Sequence, residues 1–177
     1  EFRRVLFRSH ATLFAWRTSY KRMKKKTHQL TLDMQFASEA LAEKWGLQIT
    51  KPKLKKWVQA ALLEDATITI RFVGRAEGRK LNAAYRQKDY ATNVLTFPYE
   101  EQPGIDHLYA DIVICPPVVD KEAKEQKKSF LQHLAHLTIH GTLHAQGFDH
   151  EDEVEALAME ELEIAILKKI KQPNPYE

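Results

Sequence analysis

The 177-residue chain, 44% hydrophobic and 29% charged, is long enough to bury the core of a single domain. Its one cysteine, Cys115, excludes an internal disulfide and fits a reducing compartment, and no apolar run approaches the roughly 18 residues of a membrane span. The formal net charge of +3 is uneven: residues 1–26 hold nine Lys or Arg against one acid, which leaves −5 for residues 27–177 and confines any phosphate-binding surface there to a local patch.

Residues 1–22 show no clear element of a domain. Arg-rich and nearly acid-free, they suit a targeting peptide or a basic nucleic-acid arm. They read better as a leader or expression-derived segment, expected to be disordered, with Met23 as a natural start and residues 23–177 as one domain. No small-residue cleavage site follows an apolar core, so secretion is not expected.

From His28 the pattern is regular. Leu30, Leu32, Met34 and Phe36 alternate with polar residues, the period of a half-buried strand. A helix is expected over Ser38–Lys44, and an amphipathic one after Pro52 that buries Leu54, Trp57, Val58, Ala61 and Leu62. Ile68, Ile70 and Phe72 mark a second strand, and Ala76–Tyr85 a short helix that ends in the basic sequence Tyr85-Arg86-Gln87-Lys88. Asn93–Phe97 reads as a third strand stopped by Pro98, and Leu108–Cys115 as a fourth, with Cys115 a buried structural thiol. Pro116-Pro117 opens a polar helix that runs to about Glu125.

The next helix begins near Ser129 and runs for about 27 Å at 1.5 Å per residue. It carries an unusual stripe. Five of the eight histidines (His133, His136, His140, His144, His150) lie within 18 residues, the first four in steps of 3, 4 and 4. Such steps draw one face of a helix, while Leu131, Leu134, Leu137, Ile139 and Leu143 point in nearly every other direction. The helix should therefore be buried, with its imidazoles facing a cleft. Residues four apart stand one above the other, so His140 and His144 can converge on one metal ion. Gly147 can take the left-handed conformation that ends the helix and turns His150 back as a third ligand. Three protein ligands leave one position of a tetrahedral zinc open for water, as catalytic sites do. On this reading His133 and His136 are not direct ligands. Gly141 costs about 1 kcal/mol relative to alanine inside a helix, which suggests close approach of substrate or of a neighbouring strand.

After His150 an acidic first turn opens a last helix with Val154, Leu157, Ala158, Leu162, Ala165 and Ile166 as its buried stripe, and the proline-containing tail Gln172–Glu177 should fray. The expected fold is α+β: a four-stranded mixed sheet packed against a central buried helix that carries the histidine motif, with about four further helices.

The spacing His140-x3-His144-x2-Gly147-x2-His150 resembles the metzincin metalloprotease motif, but Gly141 stands where those enzymes have the glutamate that serves as general base. A second resemblance accounts for this departure. His136–His150, Leu81–Asp89, Thr92–Pro98, Asp111–Cys115 and the closing Pro173–Tyr176 are similar to the hallmark segments of the YbeY family of bacterial rRNA maturation endoribonucleases. The resemblance runs from about Met23 to the end and departs only in detail, such as Ala110 before Asp111 where glycine is common. It implies a cytoplasmic endoribonuclease with one Zn2+ per chain and specificity for single strands. Its substrate would be precursor rRNA at the 3′ end of the small-subunit rRNA, and its partners the small ribosomal subunit and ribosome quality control. By motif position it implies His140, His144 and His150 as metal ligands, with His140 and Arg86 as catalytic residues. No membrane partner is implied, and a monomer is the favoured state. Asp149 could orient a ligand imidazole or cap the following helix. Two other readings stay open from the residues alone: a metal-dependent hydrolase of another substrate, including an atypical peptidase, and a ribosome-assembly binding protein with structural zinc.

Overall fold

The computed structural model describes residues 27–100, 107–148 and 153–177. Residues 1–22, the expected leader, and Asp149 and His150 lie outside the described residues.

β1 (Leu30–Phe36), β2 (Ala66–Phe72) and β4 (Leu108–Ile114) run parallel, and β3 (Val94–Pro98) pairs antiparallel with β4, in the order β1-β2-β4-β3. β1 and β2 fall where apolar and polar side chains alternate with period two, whereas β4, covered on both faces, buries Ile112, Val113 and Ile114 in a row. Ile70 lies opposite Ile112 and Phe72 opposite Ile114, so their branched and aromatic side chains share one face. That face meets α1 (Glu39–Trp45), α2 (Lys51–Ala61), α5 (Phe130–Ala145) and α6 (Glu153–Lys169). Leu54, Val58, Leu134, Ile139, Leu143 and Ile166 complete this main core. Each fully buried side chain of this size is worth about 1.5–3 kcal/mol.

A smaller core lies on the opposite face. There Leu81 of α3 (Arg75–Arg86) and Val118 of α4 (Pro116–Glu125) pack with Val73, Leu95, Val113 and Cys115. Burial pushes the Cys115 thiol pKa up, which suits the structural role expected of it. The helix α4, polar in sequence, also buries Pro116, Val119 and Ala123.

The helix α5 is defined by its own start signal. Ser129 Oγ accepts from the Gln132 amide at 3.2 Å, and Gln132 Oε1 accepts from the Ser129 amide at 2.9 Å, a reciprocal cap that satisfies two donors a helix start leaves open. Its buried hydroxyls are satisfied within the helix, Thr138 by the Leu134 carbonyl and Thr142 by the Thr138 carbonyl, each at 2.8 Å. Gly147, with φ +84, closes its end as its position predicted. Gln146 then ties that end to α2: its Nε2 donates to the Ala61 carbonyl and its Oε1 accepts from the Leu63 amide.

Gly141 is where the sheet touches this helix. A Cβ there would lie 3.1 Å from Ile112 Cγ2, 3.2 Å from Thr96 Oγ1 and 3.4 Å from Val94 Cγ2. The close neighbours are the strands β3 and β4.

Two expectations need correction. The buried face of α6 is Met159, Leu162, Glu163, Ile166 and Leu167, while Leu157 is 61% exposed and Ala165 is also exposed. The helix offers apolar residues in too many directions for local sequence to choose its face, and packing against α5 decides it. The tail does not fray either. Lys171 takes the left-handed conformation (φ 62), the Gln172 amide returns to the Leu167 carbonyl at 2.9 Å, and Pro175 is buried. The chain reverses there and lies back toward α5.

Candidate metal centre

The histidine spacing sets the site. His136, His140 and His144 are the half-buried residues of an otherwise buried stretch of α5, with successive ring centroids 6.1 and 4.4 Å apart. His133, one turn earlier, is buried, and its Nε2 lies 2.8 Å from Glu122 Oε2 on α4. That carboxylate also accepts from Asn93 Nδ2 at 3.0 Å. Burial raises the Glu122 pKa, but the bonds to His133 and Asn93 outweigh it and hold the carboxyl below its ordinary value.

Facing the stripe, α6 contributes Glu163, whose side chain is 0% exposed. Its Oε1 lies 2.7 Å from His140 Nδ1, and its Oε2 lies 2.7 Å from His136 Nε2. The Tyr176 hydroxyl donates to the same Oε2. Burial alone would raise this carboxyl, yet the hydrogen bonds and charges of His136 and His140 lower its pKa to about 2. Glu163 is therefore an ionised acceptor, and the two imidazole nitrogens that touch it donate. Burial and the neighbouring Glu163 raise the Tyr176 phenol above its ordinary value, so it too stays a donor.

This assignment fixes the other nitrogen of His140. In the neutral imidazole a proton on Nδ1 leaves the lone pair on Nε2, which faces His144 Nε2 at 3.0 Å. Two imidazole nitrogens so close either share a proton or can share a metal ion. The ligand atoms of His136, His140 and Glu163 also lie within 4.8 Å of one another, a group that could hold a metal ion. Imidazole nitrogens and a carboxylate are the donors that zinc takes, and a histidine bonded through its second nitrogen to a carboxylate is the usual support of such a site.

The model of the family described as Endoribonuclease YbeY matches residues 35–171. The chain belongs to the YbeY family. It is 52% identical over 148 residues to the Endoribonuclease YbeY of Polynucleobacter asymbioticus, an alignment that covers 84% of this chain and 94% of the relative. It is likewise 52% identical over 149 residues to that of Janthinobacterium sp. (strain Marseille), with 84% and 95% covered. The namesake from Paraburkholderia phymatum is 52% identical over 150 residues, with 84% and 97% covered.

Within this YbeY fold Arg86 stands apart from the histidines. It is the exposed last residue of α3, and Gln87 beyond it caps the helix in the left-handed conformation (φ 58). Tyr85 packs edge-on against Phe97 of β3 with ring centroids 4.8 Å apart, on the sheet face opposite α5. Thr96, the next residue of β3, points the other way and donates to the Gly141 carbonyl at 3.3 Å. The end of α3 thus lies across the edge strand β3 from the helix that carries the histidines. Its basic neighbours are partly neutralised: Arg79 makes two bonds to Asp89 at 2.7 and 2.6 Å, and Arg71 pairs with Glu77 at 3.1 Å. Among the described residues Lys80, Arg86 and Lys88 have no acidic partner.

Sequence reasoning missed Glu163 and Tyr176. The signal for Glu163 was an acid between Leu162 and Ile166, on the face that faces α5. Tyr176 lies in the closing segment that resembles the family, but its contact with Glu163 depends on the reversal at Lys171 and has no local signal.

Proposed function

We propose that this YbeY-family enzyme is a zinc-dependent endoribonuclease for single-stranded RNA, acting on the 3′ end of the small-subunit rRNA in the cytoplasm and in ribosome quality control. The family supports RNA hydrolysis. The observation that carries the metal is the approach of His140 Nε2 to His144 Nε2 at 3.0 Å while His140 Nδ1 is held by Glu163. On this reading His140, His144 and His150 hold one zinc ion, and Glu163 and His136 support it from behind. When bound, zinc supplies Lewis acidity and a nucleophile drawn from water near neutral pH.

The chain's own residues do the rest. Glu163 keeps the proton of His140 on Nδ1 and so keeps Nε2 available. Gly141 lets the sheet close against α5 and shuts the core side of the site to water. Arg86, with Lys88 and Lys80, offers cations that have no acidic partner among the described residues, where RNA that crosses β3 would meet them. A guanidinium there can contact two phosphate oxygens at once and oppose the charge that develops in the transition state.

The peptidase alternative loses its support from the packing. The position after the first histidine faces Ile112, Thr96 and Val94 at contact distance, so a carboxylate base has no room there. Zinc-loaded protein should cut single-stranded RNA, leave duplex RNA and casein intact, and lose cleavage on chelation and in His140→Ala. Cleavage that persists in His140→Ala would mark a contaminant and leave a zinc-binding assembly protein as the better reading.

A further inference from the structure

We infer that the C-terminal tail is a working part of the metal centre, with Tyr176 as a positioning residue that holds Glu163 in line for His140. The inference rests on the metal reading above and adds a residue and a segment to it. The Glu163 side chain is completely buried, so each of its oxygens needs hydrogen-bond donors. Oε1 has His140, and Oε2 has His136 and the Tyr176 hydroxyl. The Tyr176 ring also packs edge-on against His136, with centroids 5.5 Å apart and an interplanar angle of 77°. Tyr176 therefore touches both Oε2 and its other donor, His136, and leaves Oε1 aimed at His140.

The tail is built to deliver this hydroxyl. The left-handed Lys171 reverses the chain after α6, and the Lys128 ammonium, just before the Ser129 cap of α5, donates to the Pro175 carbonyl. Asn174 Oδ1 accepts from the Tyr176 amide at 3.1 Å, a local turn that fixes the last residues. The tail is thus pinned at the start of α5 while Tyr176 reaches its middle. A frayed end would need none of these contacts.

Support of this kind behind a metal-binding histidine is worth about 10–100-fold in metal affinity. Tyr176→Phe keeps the ring and removes only the hydroxyl, so its zinc dissociation constant, read by chelator competition, should rise about tenfold. Lys128→Met, remote from the histidines, should weaken zinc binding too, and should add little in a Tyr176→Phe background, since both act through one hydroxyl. In zinc-free protein the nitrogen chemical shifts of His140 should report a single Nδ1–H tautomer in the wild type and a mixture in Tyr176→Phe. Unchanged zinc affinity together with an unchanged His140 tautomer in Tyr176→Phe would overturn the inference. Additive losses in the double variant would also count against it. A wild type that binds no zinc would defeat the metal reading itself, while the tautomer comparison would still decide the role of Tyr176.

Discussion

His140 Nδ1 and Glu163 Oε1 lie 2.7 Å apart across 23 residues of sequence, and this one contact gives the histidine stripe a direction. It commits one nitrogen of His140 to α6 and turns the other toward His144. Glu163→Gln keeps the shape but can no longer accept at both oxygens. Its zinc affinity should fall about 10–100-fold, measured by chelator competition, with single-stranded RNA cleavage at saturating zinc less affected than binding.

Gly141 tests the contact between helix and sheet. Alanine there would gain about 1 kcal/mol of helix propensity, but overpacking against Ile112 and Thr96 costs about 1–3 kcal/mol. The steric cost wins because all three close neighbours, Ile112, Thr96 and Val94, are β-branched residues held in the sheet. Gly141→Ala should lower the melting temperature by a few degrees, whereas a rise would show that β3 and β4 yield easily.

Arg86→Ala should leave zinc content and melting temperature unchanged, because the side chain is exposed and makes no ion pair among the described residues. If it opposes charge that develops in the transition state, the cleavage rate should drop by about 2–4 kcal/mol in barrier terms while RNA affinity falls much less. Equal losses in both would make Arg86 a substrate-holding residue. Binding should also weaken steeply with salt, with a smaller slope in Arg86→Ala and Lys88→Ala.

The pair Glu122–His133 gives a pH prediction away from the metal. A carboxyl whose pKa folding depresses contributes stability above its unfolded value, near 4.5, and loses it as pH falls through the lower folded value. Glu122→Gln should therefore be less stable than wild type at pH 7. The gap should close as pH drops below about 4, read from urea midpoints. A gap independent of pH would show that packing, and not charge, is what Glu122 supplies.

Much of this was legible in the chain. Alternation gave β1 and β2 because each buries one face, and the start of α5 falls next to Ser129 as expected, where the structure adds the Gln132 half of the cap. The imidazole stripe followed from helical spacing alone. What could not be read depends on contacts between distant segments. Leu157 was assigned to the core and is exposed, since α6 is apolar on several sides and only α5 selects one. Tyr176 was assigned to a fraying end, since prolines in a tail signal the loss of a helix but not where the chain goes next. The sheet face that α3 covers, and with it the place of Arg86, depends on strand order, which local pattern does not encode.

We propose that the metal sits between His140, His144 and His150, with His136 and Glu163 behind it. This placement is tested most directly by counting bound zinc in His136→Ala, His140→Ala, His144→Ala and His150→Ala, each alongside cleavage of single-stranded RNA. The account predicts that the last three lose both zinc and cleavage, and that His136→Ala still takes up one ion at a higher zinc concentration. Loss of zinc in His136→Ala with full retention in His144→Ala and His150→Ala would contradict it, and would place the ion between His136, His140 and Glu163.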